Sequence, residues 1–150
     1  NLNKISNKKV RISEDFVKAQ VLLTNQKRDE AKEILIDLVK TKNSPYSSLS
    51  LFLIIENNLI SDKQKVIKYF DLVFKNNKFK KEDLNLLKLK KAIFMSDIKK
   101  EQEIIELLNP LINSDSVWKV HALKFLGDFY ESSNQQIKAQ QYYSLISEID

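Results

Sequence analysis

One glycine and two prolines in 150 residues constrain this chain more than any motif it carries. The reverse turns of β-rich folds draw on glycine for positive φ and on proline for a fixed φ, and they need them at hairpin after hairpin. A chain almost without either residue reads as helices joined by short polar connections. Its apolar share of 43% and charged share of 30% suit a soluble domain long enough to bury a core. The absence of cysteine excludes disulfides and thiolate metal sites. The longest apolar run, Leu51-Phe52-Leu53-Ile54-Ile55, is far too short to span a membrane.

Apolar spacings of three and four predict eight helices. The first runs from about Ser13 to Thr24, with Ser13 as N-cap and Glu14 and Asp15 in the first turn. The second runs from about Arg28 to Thr41, and the third from about Pro45 to Asn58. That third helix is apolar over most of its circumference and is expected to be the most buried. Ser61 and Gln64 form a candidate capping box for the fourth, which ends near Asn76-Asn77. The fifth covers Lys81 to Met95 and the sixth Asp97 to Asn109, where Pro110 is expected to end or kink it. Asp115 or Ser116 opens the seventh, and Asn134 caps the eighth. Residues 1–11, NLNKISNKKVR, are polar and basic without periodicity. They read as a linker from which an upstream segment has been removed, with one helical domain over 12–150.

Helices of this length joined by short turns imply antiparallel hairpins. The last hairpin reads Leu123-x2-Leu126-Gly127-x2-Tyr130, then Ala139-x3-Tyr143-x2-Ile146. These spacings resemble the tetratricopeptide repeat, in which a small residue on the first helix meets an alanine on the second. The resemblance implies a Gly127–Ala139 contact. Ala19 and Ala31 repeat the device twelve residues apart. Ile54 with Val66, and Ala92 with Ile104, take the equivalent places in the middle hairpins. The expected fold is all-α: four antiparallel hairpins stacked as a short right-handed solenoid.

Residues 107–139 resemble a narrower family, the bacterial YfgM-like tetratricopeptide domains. Leu108, Pro110, Leu111, Trp118, Ala122, Leu126, Gly127 and Ala139 match its pattern, while Val117 and Lys119 replace its usual proline and arginine. That family is similar to the ancillary subunit of the SecYEG translocon, a protein with an N-terminal membrane helix and a periplasmic repeat domain. The resemblance implies a non-catalytic scaffold on the periplasmic side of the bacterial inner membrane. Its partners would be the translocon, chaperones or emerging chains.

In stacked repeats the first helices of the hairpins line a concave groove. By register Phe16, Gln20, Leu23, Leu51, Ile55, Asn58, Leu89, Ile93, Lys124 and Asp128 face it. Phe16 and Gln20 stand where some repeat domains carry the lysine and asparagine of a carboxylate clamp. Periodicity allows Leu51, Ile55 and Ile93 equally as core. On the eighth helix Tyr142, Leu145 and Ile149 form a second apolar stripe, expected to make a dimer contact or to dock a partner.

Nothing in the sequence points to catalysis or to a cofactor. The single histidine, His121, lacks companions for a metal or a nucleophile. The carboxylate pairs Glu14-Asp15 and Glu82-Asp83 suit helix N-termini. The net charge is +5, and 23 of the 25 basic residues are lysine, whereas nucleic-acid grooves favour arginine. Residues 78–100 hold eight lysines against three acids, with Lys81, Lys88 and Lys91 on one stripe. A cytoplasmic repeat adaptor, or a lysine-rich module for nucleic acid or anionic lipid, is the alternative reading.

Overall fold

The computed structural model describes residues 1–98 and 100–149, and every regular element among them is helical. The order is α1 (Leu2–Thr24), α2 (Arg28–Val39), α3 (Ser44–Glu56), α4 (Lys63–Asn76), α5 (Lys81–Met95), a 3-10 turn (Ser96–Ile98), α6 (Glu101–Ile112), α7 (Lys119–Ser132) and α8 (Gln136–Ser147). The chain divides into two compact units, Asn1–Lys78 and Phe79–Asp150. A single domain over 12–150 was the expectation. The division falls where the backbone leaves α4 extended, at Asn77, and is still extended at Lys80.

In the first unit each helix packs on the next, and α1 also meets α3 and α2 meets α4. The core is built from Ala19, Ala31, Leu35, Val39, Leu51, Ile54, Val66, Phe70 and Val73, all essentially inaccessible to water. Burying a side chain the size of Leu35 or Phe70 contributes roughly 2–3 kcal/mol. Short helices of this kind hold their conformation because of such burial. In the second unit α5 packs on α6, α6 on α7, and α7 most extensively on α8. Its interior comprises Leu87, Ala92, Met95, Ile104, Leu108, Leu111, Leu123, Leu126 and Ala139.

Three hairpins end their first helix in the same way. Gln26, Asn58 and Asn134 have φ of 61°, 51° and 61°. In each case the next residue donates its N–H five residues back: Lys27 to Leu22 O, Leu59 to Ile54 O and Gln135 to Tyr130 O, at 2.8, 3.0 and 2.9 Å. The shorter inner bonds are present too, from Gln26 to Leu23, Asn58 to Ile55 and Asn134 to Glu131. These are Schellman turns, whose left-handed position usually takes glycine. Here glutamine and asparagine fill it, which is how the chain makes tight hairpins without glycine.

Counting back from these turns corrects the register of the second hairpin. Ala19 and Gly127 lie seven residues before their left-handed residues. The equivalent of both is Leu51, not Ile54, which stands instead with Leu22 and Tyr130. The α3–α4 connection, Asn57 to Asp62, is longer than the α1–α2 and α7–α8 connections. Fixed spacing from Val66 therefore slips by one helical turn.

Other boundaries also move. The expected linker over 1–11 is helical, because α1 begins at Leu2 with Asn1 as N-cap. No proline or glycine interrupts that stretch, and Leu2, Ile5, Lys9 and Ile12 fall on one helical face. Asp62, one residue after Ser61, caps α4 and accepts from Gln64 and Lys65 N–H. Pro110 lies inside α6, which continues to Ile112. So near the C-terminus, the missing N–H removes only the bond to the Glu106 carbonyl. Neither Asp115 nor Ser116 opens α7, which starts at Lys119, and Asn134 closes α7 without capping α8.

Candidate functional site

The sequence-predicted groove residues separate by burial. In the first unit Phe16 is half-buried, its ring 5.2 Å from that of Tyr46. Leu23 and Ile55 are half-buried and Gln20 is exposed. Leu51 is fully buried and so belongs to the core. Its place in the turn-based register, equivalent to Ala19, points it at the neighbouring helix. Asn58 is exposed, but it shapes a turn, and its carbonyl and that of Asn57 accept from Arg28 Nη2 at 3.2 and 2.7 Å. That cation, at the start of α2, satisfies carbonyls at the C-terminal end of α3, where positive charge is favoured.

In the second unit Leu89 is also core, at 4% exposure, because α5 is packed on more than one side. Ile93 is 45% exposed. Lys124 and Asp128 are exposed and paired at 3.0 Å. Asp128 alone of the predicted groove residues lines a cleft of about 550 Å³. Phe125 and Phe129 give this cleft an aromatic wall, and Asp97, Glu101 and Asp128 give it acidic edges.

The polar groups behind the cleft are fixed by α8. The Tyr143 hydroxyl lies 2.5 Å from Asp128 Oδ1 and 2.8 Å from Glu131 Oε2, a donor shared between two carboxylates. That hydrogen bond, reinforced by Lys124, holds the Asp128 carboxyl below the usual carboxylate range. The same bonds push the Tyr143 phenol upward. Tyr130 donates to Glu101 Oε1 at 2.8 Å. Burial first, and then this carboxylate, raise its phenol well above its ordinary value. Lys138 sits 3.5 Å from Glu101 and 5.2 Å from the Tyr130 ring centre. A wall of this kind can seat an apolar or cationic side chain. Among the described residues no group of three or more His, Asp or Glu side chains stands together as a metal would require. His121 is exposed and meets the Trp118 ring edge-on at 5.4 Å.

On α8, Tyr142 turns inward and stacks on Tyr130 with ring centres 5.6 Å apart. It therefore drops out of the predicted outer stripe, because its ring completes the aromatic contact with α7. Leu145 and Ile149 remain about 40% exposed. Ile137, eight residues before Leu145, is 80% exposed. Its spacing could have placed it with that stripe. In the lysine-rich stretch Lys81 is exposed while Lys88 and Lys91 are half-buried.

Sequence reasoning missed the role of Glu82. Its Oε1 accepts from Asn85 Nδ2 at 2.7 Å and Ser116 Oγ at 2.8 Å, and its Oε2 accepts from the Val117 N–H at 2.6 Å. Its backbone carbonyl accepts from Trp118 Nε1 at 3.2 Å. Glu82 therefore clamps the connection into α7, and Asn85 and Ser116 are buried beside it. These hydrogen bonds, led by that from Val117, lower its pKa. The only signal for this in the sequence was a carboxylate in a first turn, which the helix dipole already explained.

No protein-family model, curated protein or solved structure matches the chain. Among the described residues no helix is long and apolar enough to cross a membrane.

Proposed function

We propose that the chain is a non-catalytic scaffold of tetratricopeptide type that holds polypeptide partners, with the YfgM-like resemblance pointing to the translocon, chaperones or emerging chains at the periplasmic face of the bacterial inner membrane. The observation that carries this reading is the recurrence of one hairpin device. A Schellman turn with a left-handed Gln26, Asn58 or Asn134 is followed, at the fourth residue of the next helix, by a buried Ala31, Val66 or Ala139. A chain assembled from one repeated hairpin tends to present helix faces to other proteins. The cleft beside Phe129 and Asp128 supports the same reading, since aromatic walls with acidic edges suit side chains of a bound segment.

Photo-crosslinking probes at Gln20 and Ser132, introduced one at a time in cells, test the proposal. Discrete adducts, identified by mass spectrometry as translocon components, chaperones or secretory chains and lost with Phe129→Ala, are expected for Ser132. Adducts no different from those of a probe at Lys68, on α4, would count against it.

A further inference from the structure

A second cleft, of about 620 Å³, lies within the first unit between the N-terminal half of α1 and the α2–α3 connection. Lys8 and Lys9 reach it from α1, and Lys40 and Lys42 from the connection, over an apolar floor of Ile5 and Ile12. Asp37 is the single acid in its lining. Among the described residues none of these lysines, nor Asp37, makes an ion pair. Four cations gathered around a single carboxylate repel one another, and an anion in their midst relieves that repulsion.

The apolar floor continues outward. Leu2 and Ile5 are 84% and 53% exposed on the α1 face that carries Lys9 and the buried Ile12. From Leu2 to Ser13 the helix holds Lys4, Lys8, Lys9 and Arg11 and no acid. A basic helix with an exposed apolar stripe is the pattern of a segment that lies in a membrane interface. Lysine, a compact charge on a flexible stem, suits phosphates presented without fixed geometry. No aromatic ring lines the cleft to stack on a base. Leu2 and Ile5 would gain nothing from a phosphodiester backbone.

We propose that this face of the first unit binds the surface of an anionic phospholipid bilayer. Lipid phosphates sit among Lys8, Lys9, Lys40 and Lys42, and Leu2 and Ile5 enter the acyl boundary. The face is distinct from the lysine-rich stretch at 78–100.

Flotation of the whole chain with vesicles tests this. One set is phosphatidylcholine alone, and the other is phosphatidylcholine mixed equally with phosphatidylglycerol. Binding is expected only to the mixed vesicles, and it should weaken with salt. Each lysine removed should cost roughly fivefold, so Lys40→Ala/Lys42→Ala should weaken binding about 25-fold. Lys8→Ala/Lys9→Ala, on a solvated stretch of helix where folding is not at stake, should do the same. Lys65→Ala/Lys68→Ala on α4, an equal change of charge, should bind as the parent does. Ile5→Asn should weaken binding while leaving its salt dependence intact. Equal binding to both vesicle types, equal losses in the α4 variant, or lysine-dependent binding of a short DNA duplex without vesicle binding would overturn the proposal.

Discussion

The ring of Tyr143 fills the space that a side chain at position 127 would need. A Cβ built on Gly127 would overlap Cε1 of that ring, with Cδ1 and Cζ close behind. Gly127 is buried in the middle of α7, where its φ is negative, so glycine is not required by backbone geometry. It is required by the approach of α8. The resemblance placed Ala139 in that contact. Ala139 is indeed fully buried, but the nearest atoms to the missing Cβ belong to Tyr143, one helical turn further on.

Gly127→Ala therefore sets two effects against each other. Alanine gains up to about 1 kcal/mol of helix preference. The displaced Tyr143 loses ring packing and the hydroxyl contacts with Asp128 and Glu131, and overpacking costs about 1–3 kcal/mol. The net expectation is a loss of about 1 kcal/mol in urea unfolding. In a Tyr143→Ala background the obstacle is gone, and the same substitution should stabilise by roughly 0.5–1 kcal/mol. A substitution that keeps its sign in both backgrounds would show that the ring is not what demands glycine.

Ser50 on α3 is fully buried, and among the described residues its hydroxyl has no hydrogen-bond partner. Its neighbour Ser47 is equally buried but donates to the Val39 carbonyl at 2.6 Å. An unsatisfied buried hydroxyl costs about 1–3 kcal/mol, and alanine is the better helix former. Ser50→Ala is expected to raise stability by about 1 kcal/mol, while Ser47→Ala lowers it by a similar amount. Paired urea titrations at one temperature check the opposite signs.

How much of this was visible in the sequence depends on what each feature rests on. Helices were legible because their apolar spacing is local, and α5 has the boundaries that its pattern predicts. The glycine marked the tightest helix contact, but not the residue opposite it, since a ring reaching across from α8 leaves no local trace. Leu51 and Leu89 read as groove residues because the pattern of a helix buried on several sides has no preferred face. The Glu82 clamp joins residues more than thirty positions apart, and only the fold brings them together. The helix over residues 2–11 escaped notice because its one apolar face, Leu2 and Ile5 with nothing further before Ile12, is too sparse among polar residues to signal burial.

Glu82 gives the second unit a dependence on acid. Its folded pKa lies below the ordinary value of about 4.3 that it regains on unfolding. Its contribution is therefore present above the unfolded value and is lost as pH falls through the folded one. Trp118, the chain's only tryptophan, reports on the clamp because its indole N–H is bonded to the Glu82 carbonyl. Glu82→Gln should flatten the acid limb of the stability curve and shift tryptophan emission toward that of a solvated indole. An unchanged acid limb would assign the stability loss to other carboxylates.

The basic limb has its own source. Tyr130 and Tyr143 are both held protonated above the ordinary tyrosine value of about 10. Protons bound more tightly in the folded state stabilise it below the unfolded pKa, and the gain is lost as pH rises through the folded value. Ultraviolet titration of the folded chain should show three of its five tyrosines ionising late, together with unfolding, because burial raises Tyr142 as well. Tyr143→Phe and Tyr130→Phe should each remove one tyrosine from the late phase.

The left-handed turns yield a graded series. A residue with a Cβ pays about 1–2 kcal/mol for the left-handed conformation, less if it is asparagine. Gln26 occupies that conformation at φ 61° with a longer side chain than Asn58 or Asn134. Glycine would relieve the strain, offset in part by the greater freedom it gives the unfolded chain. Gln26→Gly is therefore expected to stabilise the first unit by up to about 1 kcal/mol, and Asn58→Gly and Asn134→Gly by less. Alanine at the same three positions should destabilise relative to glycine, most clearly at 58 and 134, where it also removes asparagine's tolerance of positive φ. Thermal unfolding of the six variants orders them. A glycine series without benefit at position 26 would mean that Gln26 holds its positive φ without appreciable strain.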